Sequence, residues 1–217
     1  VSGVFFQPIE FVADYTAASR AVLAHFDKYG IPVLLLDYDI VSSPERSSYD
    51  LVGIDNVSAG LAIGRHLVRV GAKKICFLQR PGAAPTVTDR LRGVALAVLE
   101  AGLSWSHRHN VLRCEPEDRR RVSRFLTVER PDALVSGNDV AAAALKGTLE
   151  AVKKGAGVRL AGFDDVAVAA QLGLTTCRQP LDDLAHVAYQ TLLQRIKAPH
   201  LPPRTILLPA PLVVRDA

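Results

Sequence analysis

Methionine is absent from all 217 residues, and the chain opens on Val1-Ser-Gly-Val-Phe-Phe6. That start has no initiator methionine, no basic stretch and no small-residue cleavage site, so it reads as the interior of a longer chain rather than as a signal peptide. Long apolar runs are missing as well. Hydrophobic residues make up 49% of the chain, yet no run approaches the ~18 residues a membrane span needs, and no membrane partner is expected. Cysteines are few: Cys76, Cys114 and Cys177 are odd in number and far apart, matching neither a zinc spacing nor a redox pair. Cys76 and Cys177 lie in strand-like runs, where cysteine behaves as a small hydrophobe. Reduced thiols point to the cytoplasm.

The motifs of cofactor chemistry are also missing. No Gly-x-Gly-x-x-Gly follows a strand and no Walker loop occurs, so no nucleotide or other cofactor is expected. The six histidines are scattered; His107 and His109 form the only close pair, in a polar turn after Trp105 with no third ligand, so no metal is expected. A nucleophile–base pair is lacking, which argues against an enzyme. Asp164-Asp165 could be an acid/base dyad, but adjacent residues at a strand end point in different directions. The other reading puts one aspartate on a ligand and one at the N-terminus of the next helix, where negative charge is favoured. Basic residues number 26 against 22 acidic, for a net charge of +4. The densest cluster, Arg119-Arg120-Arg121 with Arg124, has no interleaved aromatics. It reads as a solvated helix face, with a nucleic-acid patch as the alternative.

What is present is a regular alternation of strand and helix patterns. Ile31-Pro-Val-Leu-Leu-Leu36 is a continuous apolar run between Gly30 and Asp37, as in a parallel strand buried on both faces. Lys74 to Leu78, Ala133 to Val135, Arg159 to Ala161 and Leu174 to Cys177 are further strands, and Thr205 to Leu208 and Leu212 to Val214 close the chain. Helices are predicted over 15–29, 56–70, 86–101, 117–127, 138–154 and 181–196, with Asn56 or Ser58 capping the second. Spacing of about 30 residues per β/α unit argues for parallel sheets covered by helices, an α/β, doubly wound class. Three runs stop at polar residues: Val135-Ser-Gly-Asn138-Asp139, Ala161-Gly-Phe-Asp164-Asp165 and Cys177-Arg-Gln179. Ligands of doubly wound sheets sit beyond the carboxyl ends of the strands. Asn138, Asp164 and Gln179 would then offer two amides and a carboxylate, suited to hydroxyl-rich ligands. Arg90 stands in the first turns of its helix, against the macrodipole, and answers either to a ligand or to Asp89 or Asp164. The helices at 56–70 and 86–101 also carry Leu61, Ile63, Leu67, Val68, Val94, Val98 and Leu99, more than one core-facing stripe requires.

Six motifs in order resemble the effector-binding core of the LacI/GalR family of bacterial transcription regulators: Ile54-Asp55-Asn56 into Gly60…Arg65-His66-Leu67 and Gly71; Arg90-x-x-Gly93; Pro131-Asp-Ala-Leu…Asn138-Asp139; Gly162-Phe-Asp164-Asp165; Leu174-Thr-Thr…Gln179-Pro180; and Leu212-Val-Val-Arg215. The resemblance covers essentially the whole chain. It implies a periplasmic-binding-protein-like fold of two doubly wound subdomains with three crossovers. Residues 1–54 plus 178–203 would form an incomplete first subdomain, lacking two β/α units at its start, and 55–177 plus 204–217 the second. It further implies a sugar or sugar-like effector in the cleft, contacted by Gln7, Asp37, Arg90, Asn138, Asp164 and Gln179. It implies a cytoplasmic homodimer that reaches operator DNA, as a repressor, only through an N-terminal head not among these residues. The same fold would also suit the solute-binding protein of a sugar transporter.

Overall fold

The computed structural model describes residues 1–9, 15–41, 44–153 and 155–215. In chain order its elements are β1 (Val4–Phe6), α1 (Tyr15–Lys28), β2 (Val33–Leu36), β3 (Asp50–Ile54), α2 (Asn56–Arg69), β4 (Ile75–Gln79), α3 (Pro85–Glu100), α4 (His107–Asn110) and β5 (Val111–Arg113). There follow α5 (Arg119–Glu129), β6 (Ala133–Ser136), α6 (Asp139–Val152), β7 (Arg159–Ala161), α7 (Ala167–Gln171), β8 (Thr176–Cys177), α8 (Leu181–Lys197), β9 (Thr205–Leu208) and β10 (Leu212–Val213). The alternation is that of a parallel α/β protein, as the strand and helix patterns imply. Among the described residues no helix is long and apolar enough to cross a membrane.

The chain divides into two compact units. The first comprises Val1–Asp55, Ala84–Thr86 and Pro180–Pro209. Its sheet has the order β1-β2-β3-β9, with every pair parallel. Successive residues of a strand face opposite ways, which explains the unbroken apolar run of β2. Val33 and Leu35 pack with Leu23 of α1 and with Leu51, while Leu34 packs with Val52 and with Ala188 and Leu192 of α8.

One buried charge organises this unit. Asp50 opens β3 with its side chain fully buried. Its carboxylate accepts from Arg195 of α8 (Nε 2.9 Å, Nη2 3.0 Å) and from Arg204 just before β9 (backbone N–H 2.8 Å, Nη2 3.2 Å). Burial alone would raise its pKa, but the hydrogen bonds from the two arginines prevail and hold it below the ordinary value.

The second unit comprises Asn56–Ala83, Val87–Gln179 and Ala210–Ala217. Its parallel sheet has the order β5-β4-β6-β7, and a short antiparallel ribbon pairs β8 with β10. Ile75 and Phe77 of β4 join Ile63, Leu67, Val94 and Val98 on one face of the sheet. Cys76 and Leu78 join Val122, Leu126, Leu145 and Leu149 on the other. Burial pushes the thiols of Cys76 and Cys177 up to about 12, so they act as small hydrophobes rather than nucleophiles.

Ile63, Leu67, Val94 and Val98 are core residues rather than a surplus available to a partner. The cause is the close crossing of α2 and α3. A Cβ at Gly60 would lie 2.0 Å from the Arg90 carbonyl oxygen, and one at Gly93 would lie 2.0 Å from that of Val57. Backbones this close bury a wide stripe of each helix. The strand predicted over 174–177 is only Thr176–Cys177. The turn holding His107 and His109 is the short helix α4, capped by Ser106. The helix predicted over 117–127 runs Arg119–Glu129, because the Asp118 side chain accepts from the Arg121 N–H and sets its start. The helix predicted over 138–154 ends at Val152; Lys154 lies outside the described residues.

Asp50→Asn should destabilise the protein by about 3–5 kcal/mol, since two guanidinium groups lose their shared buried counter-charge. Because the native pKa is depressed, the carboxylate stabilises above its ordinary titration range and that contribution is lost as pH falls through the range. Urea unfolding at pH 7 and at about pH 2.5 checks both: the gap between native and variant should narrow at the lower pH, which lies below the ordinary value of 3.8.

Candidate ligand-binding site

Parallel strands end together, so the residues that follow them share one edge of their sheet. In the second unit this edge carries Gln79 at the end of β4, Gly137-Asn138 after β6 and Phe163-Asp164-Asp165 after β7. Bridges Ala161↔Thr175 and Asp164↔Arg178 bring Gln179 to the same place.

Arg90 of α3 is the centre of the cluster, and it is only 4% exposed. Its Nε donates to Asn56 Oδ1 (2.8 Å) and its Nη1 to the Gly137 carbonyl (2.7 Å), and its Nη2 lies 3.1 Å from Asp164 Oδ1. The guanidinium also lies over the Phe163 ring, 4.8 Å from its centroid. Of the two partners weighed for Arg90, Asp164 is the one engaged; Asp89 pairs with Arg92. Asp164 Oδ1 accepts a second bond, from Gln179 Nε2 at 2.7 Å. Arg90, Asp164 and Gln179 are therefore one hydrogen-bonded chain. The Asp164 side chain is 24% exposed, so a partly exposed carboxylate is backed by a buried guanidinium.

Asn138 is the N-cap of α6; its side-chain oxygen accepts from the Ala141 N–H at 2.8 Å. That leaves its amide nitrogen, with two donors, for other partners. Its neighbour Asp139 is fully buried. The Asp139 carboxylate accepts from the Thr176 hydroxyl (2.8 Å) and the Val166 N–H (3.1 Å). Burial pushes its pKa up to about 6 against the opposing pull of these bonds, and the nearby Asp164 charge adds to the rise.

Asp164 and Asp165 have left-handed backbone, with φ of 102° and 55°. Non-glycine residues in such conformations are strained, and strain of this kind gathers at functional sites. Asp165 directly precedes the N-cap of α7, the place the sequence reading gives one of the two aspartates. It lies between two arginines, 2.6 Å from Arg178 Nε and 2.7 Å from Arg215 Nη2. Burial would raise its pKa, but these two partners outweigh burial and hold it low. The α7 N-cap residue, Val166, has no side-chain cap of its own.

Gln7 and Asp37 belong to the first unit. They directly follow β1 and β2, neighbours in its parallel sheet, so both lie at the carboxyl edge of that sheet. Asp37 has φ of 73°, and its N–H donates to the Val52 carbonyl at 3.0 Å. Next to them the Tyr38 hydroxyl donates to the Pro8 carbonyl at 3.1 Å, joining the two loops. Elsewhere His109 Nδ1 lies 2.9 Å from Glu129 Oε1. Among the described residues no three His, Cys, Asp or Glu side chains gather as metal ligands.

Residues 65–217 match the family model of the periplasmic binding protein-like domain. The chain belongs to that family. Its curated relatives include the transcriptional repressor PurR of Photobacterium profundum, 26% identical over 197 residues that cover 88% of this chain and 58% of the relative. The ribose operon repressor of Bacillus subtilis is also 26% identical, over 201 residues covering 89% of this chain and 59% of the relative. The chain thus spans a little under three fifths of the length of these relatives. Among solved structures, the transcriptional regulator CelR in complex with cellobiose superposes with a TM-score of 0.81 at 20% identity, covering 100% of this chain and 65% of that one. At that identity the likeness shows the fold, which is the parallel α/β fold of LacI-type regulator cores. The relatives named here are transcriptional regulators, not enzymes.

Within this family domain, sequence reasoning singled out Arg90 and Asp164 but missed what holds them. Asn56 enters the sequence reading as a helix cap and a motif residue, Arg215 as a motif residue and Arg178 as part of a strand end, and none of them as a partner of these side chains. A signal was available: a buried arginine needs acceptors for its five N–H donors, and an arginine against a helix dipole has to find them outside its own helix.

Arg90→Ala should unfold at markedly lower denaturant concentration, losing about 3–5 kcal/mol, because Asp164 loses its dry counter-charge. Asn56→Ala should cost about 1–3 kcal/mol, the penalty for one unanswered buried donor. Chemical denaturation of both variants tests the ranking; equal losses would contradict it.

Proposed function

We propose that this chain is the effector-sensing core of a LacI-type transcription regulator, a repressor, and that the polar strand-end cluster of its second unit contacts a sugar or sugar-like effector. The observation that carries this reading is the Asp164 carboxylate, held in a strained turn at the carboxyl edge of a parallel sheet by buried Arg90, with amides of Gln179 and Asn138 beside it. A carboxylate, a guanidinium and carboxamides supply the charge-assisted and paired hydrogen bonds that hydroxyl groups take. Gln7 and Asp37 of the first unit join the proposed contact set through the family resemblance. The repressor names of the relatives and the cellobiose in the CelR complex support a sugar-sensing regulator over the solute-binding protein of a transporter.

In this reading the protein works in the cytoplasm as a homodimer and reaches operator DNA through a head outside these 217 residues. Leu96 and Leu99 of α3 are 43% and 55% exposed, one turn apart, and are apolar groups available to a partner. Effector acts by binding one conformation better than another; a few kcal/mol of difference shifts such an equilibrium.

A thermal-shift series with cellobiose and ribose tests the binding reading. Ligand at about a hundred times Kd stabilises by about 2.7 kcal/mol, a rise of several degrees. Asp164→Ala should weaken affinity tenfold to a hundredfold, about 1.4–2.8 kcal/mol, in calorimetric titration. No shift with any of a wider sugar panel would refute a sugar-sensing function. Sedimentation at micromolar concentration tests the assembly: a dimer is expected for the full-length protein, with Leu96→Glu and Leu99→Glu together weakening it. A native monomer would contradict it.

A further inference from the structure

We propose that Asp139 is the positioning residue of this site: its buried carboxylate fixes the turn that presents Asp164. The inference rests on the binding role proposed for Asp164 and adds the element that sets its geometry. Asp139 grips the turn on both sides of Asp164. Its backbone N–H donates to the Phe163 carbonyl at 2.9 Å, and its Oδ2 accepts from the Val166 N–H at 3.1 Å. Its Oδ1 accepts from Thr176 Oγ1 at 2.8 Å, and the same hydroxyl oxygen accepts from the Asp165 backbone N–H at 3.4 Å. The residues between these anchors, Asp164 and Asp165, both have left-handed backbone. Strained backbone persists only where its surroundings over-determine it; beside the Asp164 N–H bond to the Cys177 carbonyl and the ion pairs of Asp164 and Asp165, two anchors of this turn, the Val166 N–H and the Thr176 hydroxyl, meet on the Asp139 carboxylate.

The charge of that carboxylate is not matched by a cation. Among the described residues no lysine, arginine or histidine forms an ion pair with Asp139, whereas Asp164 and Asp165 each have arginine partners. The groups facing it leave its protonation free to follow pH. Asp164, in the turn, repels its charge. Cys177 of β8 is a neutral thiol. Arg90 of α3 is engaged by Asp164, and Asp165 by Arg178 and Arg215.

A protonated Asp139 has one acceptor fewer among neighbours that are mainly donors. It must give up the Val166 N–H or turn the Thr176 hydroxyl around, and either change loosens the turn. With burial raising the pKa to about 6, the ionised, gripping form prevails at pH 7.5 and the protonated form at pH 5. Effector binding therefore releases a proton from Asp139, and affinity falls as pH drops through this window. Asp139→Asn mimics the protonated form: its amide oxygen accepts from Val166 N–H while its nitrogen donates toward Thr176 Oγ1, which turns the hydroxyl around as protonation does and removes the titration.

Calorimetric titration with cellobiose and with ribose at pH 7.5, 6.5 and 5, on the native protein, Asp139→Asn and Thr176→Val, is the test. The native protein should lose about tenfold in affinity from pH 7.5 to 5, as linkage to one titrating group requires. Asp139→Asn should bind about tenfold more weakly than the native protein at pH 7.5, matching the native protein at pH 5, and stay flat with pH. Thr176→Val should bind about tenfold more weakly at pH 7.5. A native profile that stays flat, or an Asp139→Asn profile that keeps the native slope, overturns the proposal. Where neither sugar binds the native protein, the ligand-free protein decides the role of Asp139. By ¹H–¹⁵N NMR the amides of Asp164, Asp165 and Val166 should then titrate near pH 6 in the native protein and not in Asp139→Asn. Amides that do not move in the native protein overturn it equally.

Discussion

A guanidinium taken out of water needs acceptors in fixed places, and Arg90 imposes that need on three segments at once. Its bonds to Asn56, Gly137 and Asp164 join the start of α2, the end of β6 and the turn after β7. Each of those segments must reach the same point with an oxygen aimed inward. The α2–α3 crossing can bring Asn56 there only because Gly60 and Gly93 lack a Cβ. Phe163, buried below the guanidinium, covers its flat face. The geometry of the candidate site follows from satisfying this one cation.

The acidic residues beside it are sorted by their partners. Asp164 has one oxygen shared between Arg90 and Gln179 and keeps some exposure. Asp165 is neutralised by Arg178 and Arg215, which ties the turn to β8 and to the segment after β10. Asp139 is buried without a cation and holds backbone and hydroxyl donors instead. Three aspartates of similar sequence surroundings thus have three different electrostatic situations. Partner placement, not residue type, separates them.

The buried charge of Asp50 shows the same rule in the first unit. Strand β3 begins on an aspartate that alternation would assign to a surface, yet it is enclosed by Arg195 and Arg204 from segments more than 140 positions away along the chain. No local pattern signals such a pairing. A lone Asp before Leu-Val-Gly-Ile reads as an ordinary strand start, and the two arginines read as solvated helix and loop residues.

The alternation of apolar runs and amphipathic stretches determined the α/β class, because a strand buried on both faces and a helix buried on one leave different periodicities in the chain. Strand ends followed by Asn138, Asp164 and Gln179 were likewise legible, since ligand positions in parallel sheets depend on chain direction alone. The six ordered motifs carried the family. Which residues are core and which are free, as for Ile63, Leu67, Val94 and Val98, depended on how closely two helices cross, a distance that no single helix encodes. The partners of Arg90, Asp139 and Asp165 were decided only by tertiary structure, because hydrogen bonds and ion pairs between remote segments exist once those segments have been brought within about 3 Å, and the sequence names the groups without their separation.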